Sequence, residues 1–429
     1  MDKIKDALKF ISSNKEFLLV WLAQICSQSA VSIISIIVGI LSDEGTLSAS
    51  TEGSAVGISV IINLATLPGL FVAPVAGVLA DWYDKKKIMI LSDLIRFILL
   101  VIFVVFVGWE NVWLSYILIF LLSIVLQFFI PAEGGLIPRL VGKKHILFAN
   151  SLFSFTVYST MAIGLGFSGL ILNILGIRGA FIICALLYVI SILFLINVKT
   201  KDTVKEKKSI TDILGFLSGM FSGIKEGVGY LFKTRLLRFA ITHLFLLQVI
   251  ALTLVTMVFR IGNEVYGVSP RSAGVVVFAP MVLGLVIGLA TLNIFGKRTS
   301  RVKLILYGTF FSAIGFGFMS VISVANGILS RLLIGEIVAT VSLIFVGLSI
   351  PFLLIPGQTL IYENTKASFR GRILGIWLAL TSSLASFISI FIALLIDWVG
   401  DLWIGLSLLV CVNLFYSVIL SYILRKRLL

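Results

Sequence analysis

Charge is what this chain has least of. Only 13% of its 429 residues are Asp, Glu, Lys or Arg, about half the share usual in soluble domains, and that scarcity excludes a soluble globule. Histidine occurs twice and cysteine three times. Cys26, Cys184 and Cys411 lie far apart in apolar runs without metal-ligand spacing. They are expected to be buried small hydrophobes, and a zinc or haem site is not expected. No Gly-x-x-x-x-Gly-Lys-Ser/Thr loop is present to cradle a nucleotide phosphate, which removes ATP as the evident energy source. No Ser-His-Asp or metal-ligand constellation appears either, so an enzyme is not expected and no cofactor is implied.

What the chain has instead is hydrophobic length. Residues of the apolar classes make up 59% of it, and the mean hydropathy is +1.14. Apolar runs of about 18 residues or more recur from end to end, the mark of an all-α, multi-pass membrane protein. The net charge of +14 is spread over short loops, which suits topology and contact with anionic lipids and argues against a nucleic-acid partner.

The chain divides into a basic amphipathic segment at 1–16, expected on the cytoplasmic membrane surface, six spans within 17–197, a hydrophilic cytoplasmic linker with an amphipathic helix at 198–238, six more spans within 239–424, and a basic cytoplasmic tail at 425–429. The first-half spans are expected at about 17–41, 54–80, 88–107, 112–130, 147–175 and 179–197. Those of the second half fall at about 239–262, 271–295, 302–325, 331–357, 373–397 and 401–424. The loop at Pro131–His145 is basic, and span 5 is rich in glycine, with Gly164, Gly166 and Gly169.

Lysine and arginine gather on one side: Lys85–Lys87, Arg139, Lys143, Lys144, Lys297, Arg298 and the linker. The opposite loops carry Asp43, Glu44, Glu52, Glu110 and Asp401. This bias places both termini in the cytoplasm.

The stretch around which the chain is organised is Gly77-Val-Leu-Ala-Asp81-Trp-Tyr-Asp84-Lys85-Lys86-Lys87, with Ser92-Asp93-Leu-Ile-Arg96 following. Three lysines between two apolar runs must sit at the water interface. The pattern resembles the loop between helices two and three of the major facilitator superfamily. Pro131 through Pro138, Ala149-Asn150-Ser-Leu and Phe369-Arg370-Gly371-Arg372 resemble its macrolide-efflux-like drug exporters. The halves look related, Asn293–Arg298 standing where Asp81–Lys86 stands, as a six-plus-six duplication requires.

The resemblance implies a twelve-helix secondary active transporter working by rocker-switch alternating access. It would export amphipathic or hydrophobic small molecules by proton antiport, as a monomer in a bacterial cytoplasmic membrane. A lipid or lysophospholipid carrier of the same fold is one alternative, and a non-transporting scaffold or receptor another. By resemblance, a conformational latch would use Gly77, Asp81, Lys85, Lys86, Asp93, Arg96, Arg370 and Arg372. The chain departs from related exporters at Val31, Leu165 and Asn293. Two groups inside the spans are coupling candidates, because an ionisable residue in hydrocarbon is a functional candidate by default: Glu336, with a static pair to Arg331 as its alternative, and His243, with a structural donor role as its alternative. Gln24, Gln28, Asn63, Gln127 and Gln248 would line the substrate cavity or bond helix to helix.

Overall fold

The computed structural model describes residues 14–43, 55–107, 112–199, 229–231, 234–296, 299–324, 333–365 and 384–425. Most of the amphipathic segment, the acidic loop after the first span, most of the linker, Arg331, Arg370 and Arg372 lie outside them. All regular structure among the described residues is helical: α1 (Lys15–Asp43), α2 (Ala55–Phe71), α3 (Ala73–Trp82), α4 (Lys85–Ile102), α5 (Val112–Ile196), α6 (Arg235–Thr256), α7 (Val258–Tyr266), α8 (Pro270–Phe295), α9 (Arg301–Val324), α10 (Leu333–Asn364), α11 (Ala385–Val399) and α12 (Leu402–Arg425). A helix pairs its own N–H and C=O groups, which an apolar surrounding demands. Nine helical stretches among the described residues are long and apolar enough to cross a membrane, and Ser59–Gly69 and Ala385–Val399 are shorter apolar helices.

Boundaries differ from the sequence expectation in several places, two of them in the first half at proline. The fourth span was expected to end at Ile130 with a loop from Pro131. The helix instead runs through Pro131, and Trp113–Val141 is one apolar span. Proline removes a single donor, and the face it interrupts goes on as buried Ala132, Leu136 and Ile137, whose packing offsets that loss. The second span divides at Val72, between Pro68 and Pro74, although Val72 N still donates to Pro68 O at 2.8 Å. Cys184 is buried as expected, whereas Cys411 is exposed on α12.

The chain separates into two compact units, one made of Met1–Ala49 and Leu64–Gly219, the other of Ser50–Asn63 and Met220–Leu429. In the first, α1 and α4 pack on α5 around a core that includes Phe17, Met89, Phe129, Leu136 and Phe153. In the second, α9 packs on α10 and α12, and α8 on α10, around Ile241, Leu244, Ile305, Leu353 and Ile361. Gly400 closes α11 with φ +84°, in the left-handed region where a side chain is strained, and its N–H returns to Ile396 O at 2.9 Å.

Backbones approach closely where α8 crosses α10. A methyl on Gly284 would run into Ile344 O, and one on Gly347 into Met281 O. In hydrocarbon, dispersion across such small-residue contacts is a main source of helix association. Gly284→Ala and Gly347→Ala are each expected to destabilise the protein by about 1–3 kcal/mol, read as a lower thermal midpoint in detergent. Gly166→Ala, where nothing lies within 4 Å, should leave the midpoint unchanged. Equal midpoints for all three variants would sink this account of the crossing.

Candidate functional site

The charged hairpin is built from helix ends. Asp84 is the N-cap of α4, its carboxylate accepting from Lys87 N at 3.2 Å, which satisfies one of the free amides of the first turn. Lys85 is buried, donates to Ala80 O at 2.8 Å, and lies where a methyl on Gly135 would meet its Cε at 2.6 Å. Lys86 donates to both Ile196 O and Val198 O at 2.8 Å, closing the C-terminal end of α5. Cations suit helix C-termini, where unpaired carbonyls collect. Both latch lysines are thus engaged with carbonyls of their own unit. A methyl on Gly77 would meet nothing within 4 Å. Asp81 lies in the last turn of α3, and its side chain is outside what is described.

Deeper in the same unit, Asp93 and Arg96 form a fully buried ion pair on α4, with Nη2 and Oδ1 3.2 Å apart. Their i,i+3 spacing puts them on one face. Ser27 of α1 donates to Asp93 Oδ1 at 2.9 Å and accepts from Arg96 Nη1 at 2.9 Å. Ser191 of α5 donates to Asp93 Oδ2. The guanidinium lies against the rings of Phe129 and Tyr188, 4.9 and 5.3 Å from their centroids. Three helices therefore meet on one neutral pair. Glu133, also on α5, is buried and lies one helical turn beyond Phe129.

The two coupling candidates stand apart. His243 is buried and lies nearly parallel to Phe239 and Tyr416, 6.2 and 5.7 Å away. Its Nε2 is 2.8 Å from Leu353 O, and a carbonyl only accepts, so Nε2 carries the proton. Nδ1 finds no hydrogen-bond partner among the described residues. Glu336 is exposed in the first turn of α10, and its expected partner Arg331 is not described. It precedes Leu353 by about 25 Å of helix rise, so His243 and Glu336 are not one site. In the first turn of α7, Arg260 pairs with Glu264 at 3.0 Å and Asp397 at 3.3 Å, and donates to Gly400 O at 2.8 Å. Burial pushes the Glu264 carboxyl up, and the Arg260 guanidinium holds it back.

The amides have separate surroundings. Gln24 is buried in the first unit and donates to Phe153 O at 3.3 Å. Gln28 is buried on the same helix. Asn63 donates to Ser59 O at 2.8 Å and Ser386 O at 3.0 Å within the second unit. Gln127 is half-buried and bonds Ser123 O at 3.4 Å, and Gln248 is half-buried on α6.

Sequence reasoning missed Ser27, Ser191 and Glu133. The serines are small polar residues with no distinctive spacing. Glu133 was hidden by taking Pro131 as a loop start, although Phe129, Glu133 and Leu136 share one face once the helix is continued.

A family model described as Major Facilitator Superfamily matches residues 20–390. Macrolide efflux protein A of Streptococcus pyogenes is 26% identical over 420 residues, covering 94% of this chain and 96% of that protein. The uncharacterized MFS-type transporter YkuC of Bacillus subtilis (strain 168) is 30% identical over 182 residues, 40% of each chain. A crystal structure of the peptide transporter POT superposes with a TM-score of 0.71 at 12% identity, over 96% of this chain and 95% of that one, a likeness of fold.

The buried pair gives a stability test. Arg96→Met leaves the Asp93 carboxylate without its countercharge and is expected to cost about 3–5 kcal/mol. Asp93→Asn combined with Arg96→Met removes both charges and should recover most of that loss in thermal midpoint. A double variant no more stable than the single one would show that the pair is not the source of the effect.

Proposed function

The chain belongs to the Major Facilitator Superfamily, and from that premise we propose that it exports amphipathic or hydrophobic small molecules of the macrolide and dye kind by proton antiport. It is a multi-pass integral membrane transporter. The observation that carries the finer reading is the relationship to macrolide efflux protein A, which extends over nearly the whole of both chains. Alternating access by a rocker-switch is the mechanism proposed. The proposed latch uses Asp81, at the end of α3, together with Asp93, Arg96, Arg370 and Arg372. Gln127 and Gln248, which keep part of their surface open, are the proposed substrate contacts.

The chemistry of such cargo fits this chain. An apolar, weakly polar substrate needs aromatic surface and a few hydrogen-bonding anchors rather than a formal countercharge. The chain carries 33 phenylalanines and few charges. A proton gradient then supplies the work, and a carboxylate that gains and loses a proton is the simplest way to couple it.

The test is accumulation of ethidium and erythromycin in efflux-deficient bacteria expressing the protein, with and without a protonophore. Expression is expected to lower accumulation several-fold, and the protonophore and Asp81→Asn are each expected to abolish the difference. Unchanged accumulation with the protein confirmed in the membrane would overturn export of these compounds. Lipid flux in proteoliposomes would then decide for the lipid carrier.

A further inference from the structure

The buried cluster of the first unit contains one carboxylate more than its guanidinium balances. Arg96 is the cation at its centre, and its Nη1 and Nη2 are directed at Ser27 and Asp93. Asp93 takes the ion pair and the hydroxyls of Ser27 and Ser191. Glu133 is only 6% exposed, and its Oε1 finds no hydrogen-bond partner among the described residues. It stands one helical turn beyond Phe129, whose ring covers the same guanidinium. An ionised carboxylate left unpaired in such surroundings costs far more than a neutral one, and a group in that position neutralises.

We infer that Glu133, one helical turn from the ring that covers the Arg96 guanidinium, is a proton-binding site of the first unit, where two carboxylates share one proton beside a single guanidinium. With the proton on Glu133 the trio is neutral. Loss of the proton to water makes Glu133 a second anion beside Asp93, and one guanidinium must then serve both. Among the described residues, Arg96 is held by side chains of α1, α4 and α5, so its shift between the two carboxylates would be felt by three helices at once. The other titratable side chains beside the cluster are Tyr188 of α5, whose ring the guanidinium lies against, Cys184 one turn before it, and Cys26 of α1, next to Ser27. Lys85, at the start of α4, is taken up by Ala80 O. Glu133 itself makes no ion pair among the described residues.

The site deepens the proton-antiport reading, and in that role it rests on it, but it is tested without any transported compound. The probe is the infrared C=O stretch of a protonated carboxyl, which a carboxylate lacks, recorded on the full-length protein in phosphatidylcholine nanodiscs at neutral pH. The wild type is expected to show one such band that exchanges slowly with deuterium, and Glu133→Gln to lose it. Asp93→Asn frees Arg96 to pair with Glu133, so it too is expected to lose the band, although the Glu133 side chain is still there. That loss is one a merely structural glutamic acid would not show, and it keeps the test open if Glu133→Gln fails to fold. A wild type without the band, a band retained in Glu133→Gln, or a band unmoved in Asp93→Asn would each overturn the site. Absence of proton-driven export with the band intact would overturn the antiport reading alone.

Discussion

A guanidinium out of reach of water has to be answered by charge and hydrogen bonds from its own surroundings, and in the first unit that demand is made by Arg96. Asp93 answers it through the ion pair, Ser27 through a hydroxyl, and Phe129 and Tyr188 through their ring faces. These groups come from α1, α4 and α5, the helices whose packing makes the unit. Cation–ring contacts and charge-assisted hydrogen bonds gain strength as water is excluded, so the polar centre and the apolar core around Phe17, Met89 and Leu136 support one another. The hairpin of lysines lies at the start of the same helix, which ties α4 to the ends of α3 and α5. One helix thus carries both the interface clamp and the buried charge.

The second unit is held differently. No buried ion pair of that kind stands at its centre among the described residues, where His243 is stacked between Phe239 and Tyr416 and bonded to Leu353 O. Its helices come together through glycine, at Gly284 and Gly347 on facing sides of one crossing and at Gly315 against Ser342 O. Serine and threonine hydroxyls mostly return to carbonyls one turn back on their own helices, as at Thr253, Ser349 and Thr359. The ion pairs among the described residues lie toward helix ends, at Arg260 and at Arg301 with Glu363. If the two halves arose by duplication, they have kept a helical plan while diverging in what fills it. Asn293 standing where the first half has Asp81 is the sequence trace of that divergence.

The helical, membrane-spanning class was legible because it depends on composition and run length, which burial hardly alters. The i,i+3 placement of Asp93 and Arg96 was legible for the same reason, since it needs only the period of one helix. What was not legible depended on contacts between helices distant in sequence. Ser27, Asp93 and Ser191 are brought together across 66 and 98 residues, and nothing in the local pattern of a serine announces such a partner. Pro131 misled for a physical reason: proline ends helices in water, whereas in an apolar bundle neighbouring packing makes up for the lost donor. Glu336 lies on an exposed face of its helix, which could not be read in advance because depth along a run says nothing about which face a carboxylate occupies.

The double grip of Lys86 on Ile196 O and Val198 O also bears on how the molecule is put together as a set of parts. It closes the last helix of the first unit with a side chain from the unit's own middle, and Glu16, at the start of α1, accepts from Lys199 N just beyond. These ties secure the ends of α1 and α5 just ahead of the hydrophilic stretch. A connector grafted in after Lys199, or a chain divided there and supplied as two polypeptides, would leave each of these ties in place. Modularity of that sort lets a lineage exchange or lengthen its connectors without redesigning the bundle they join.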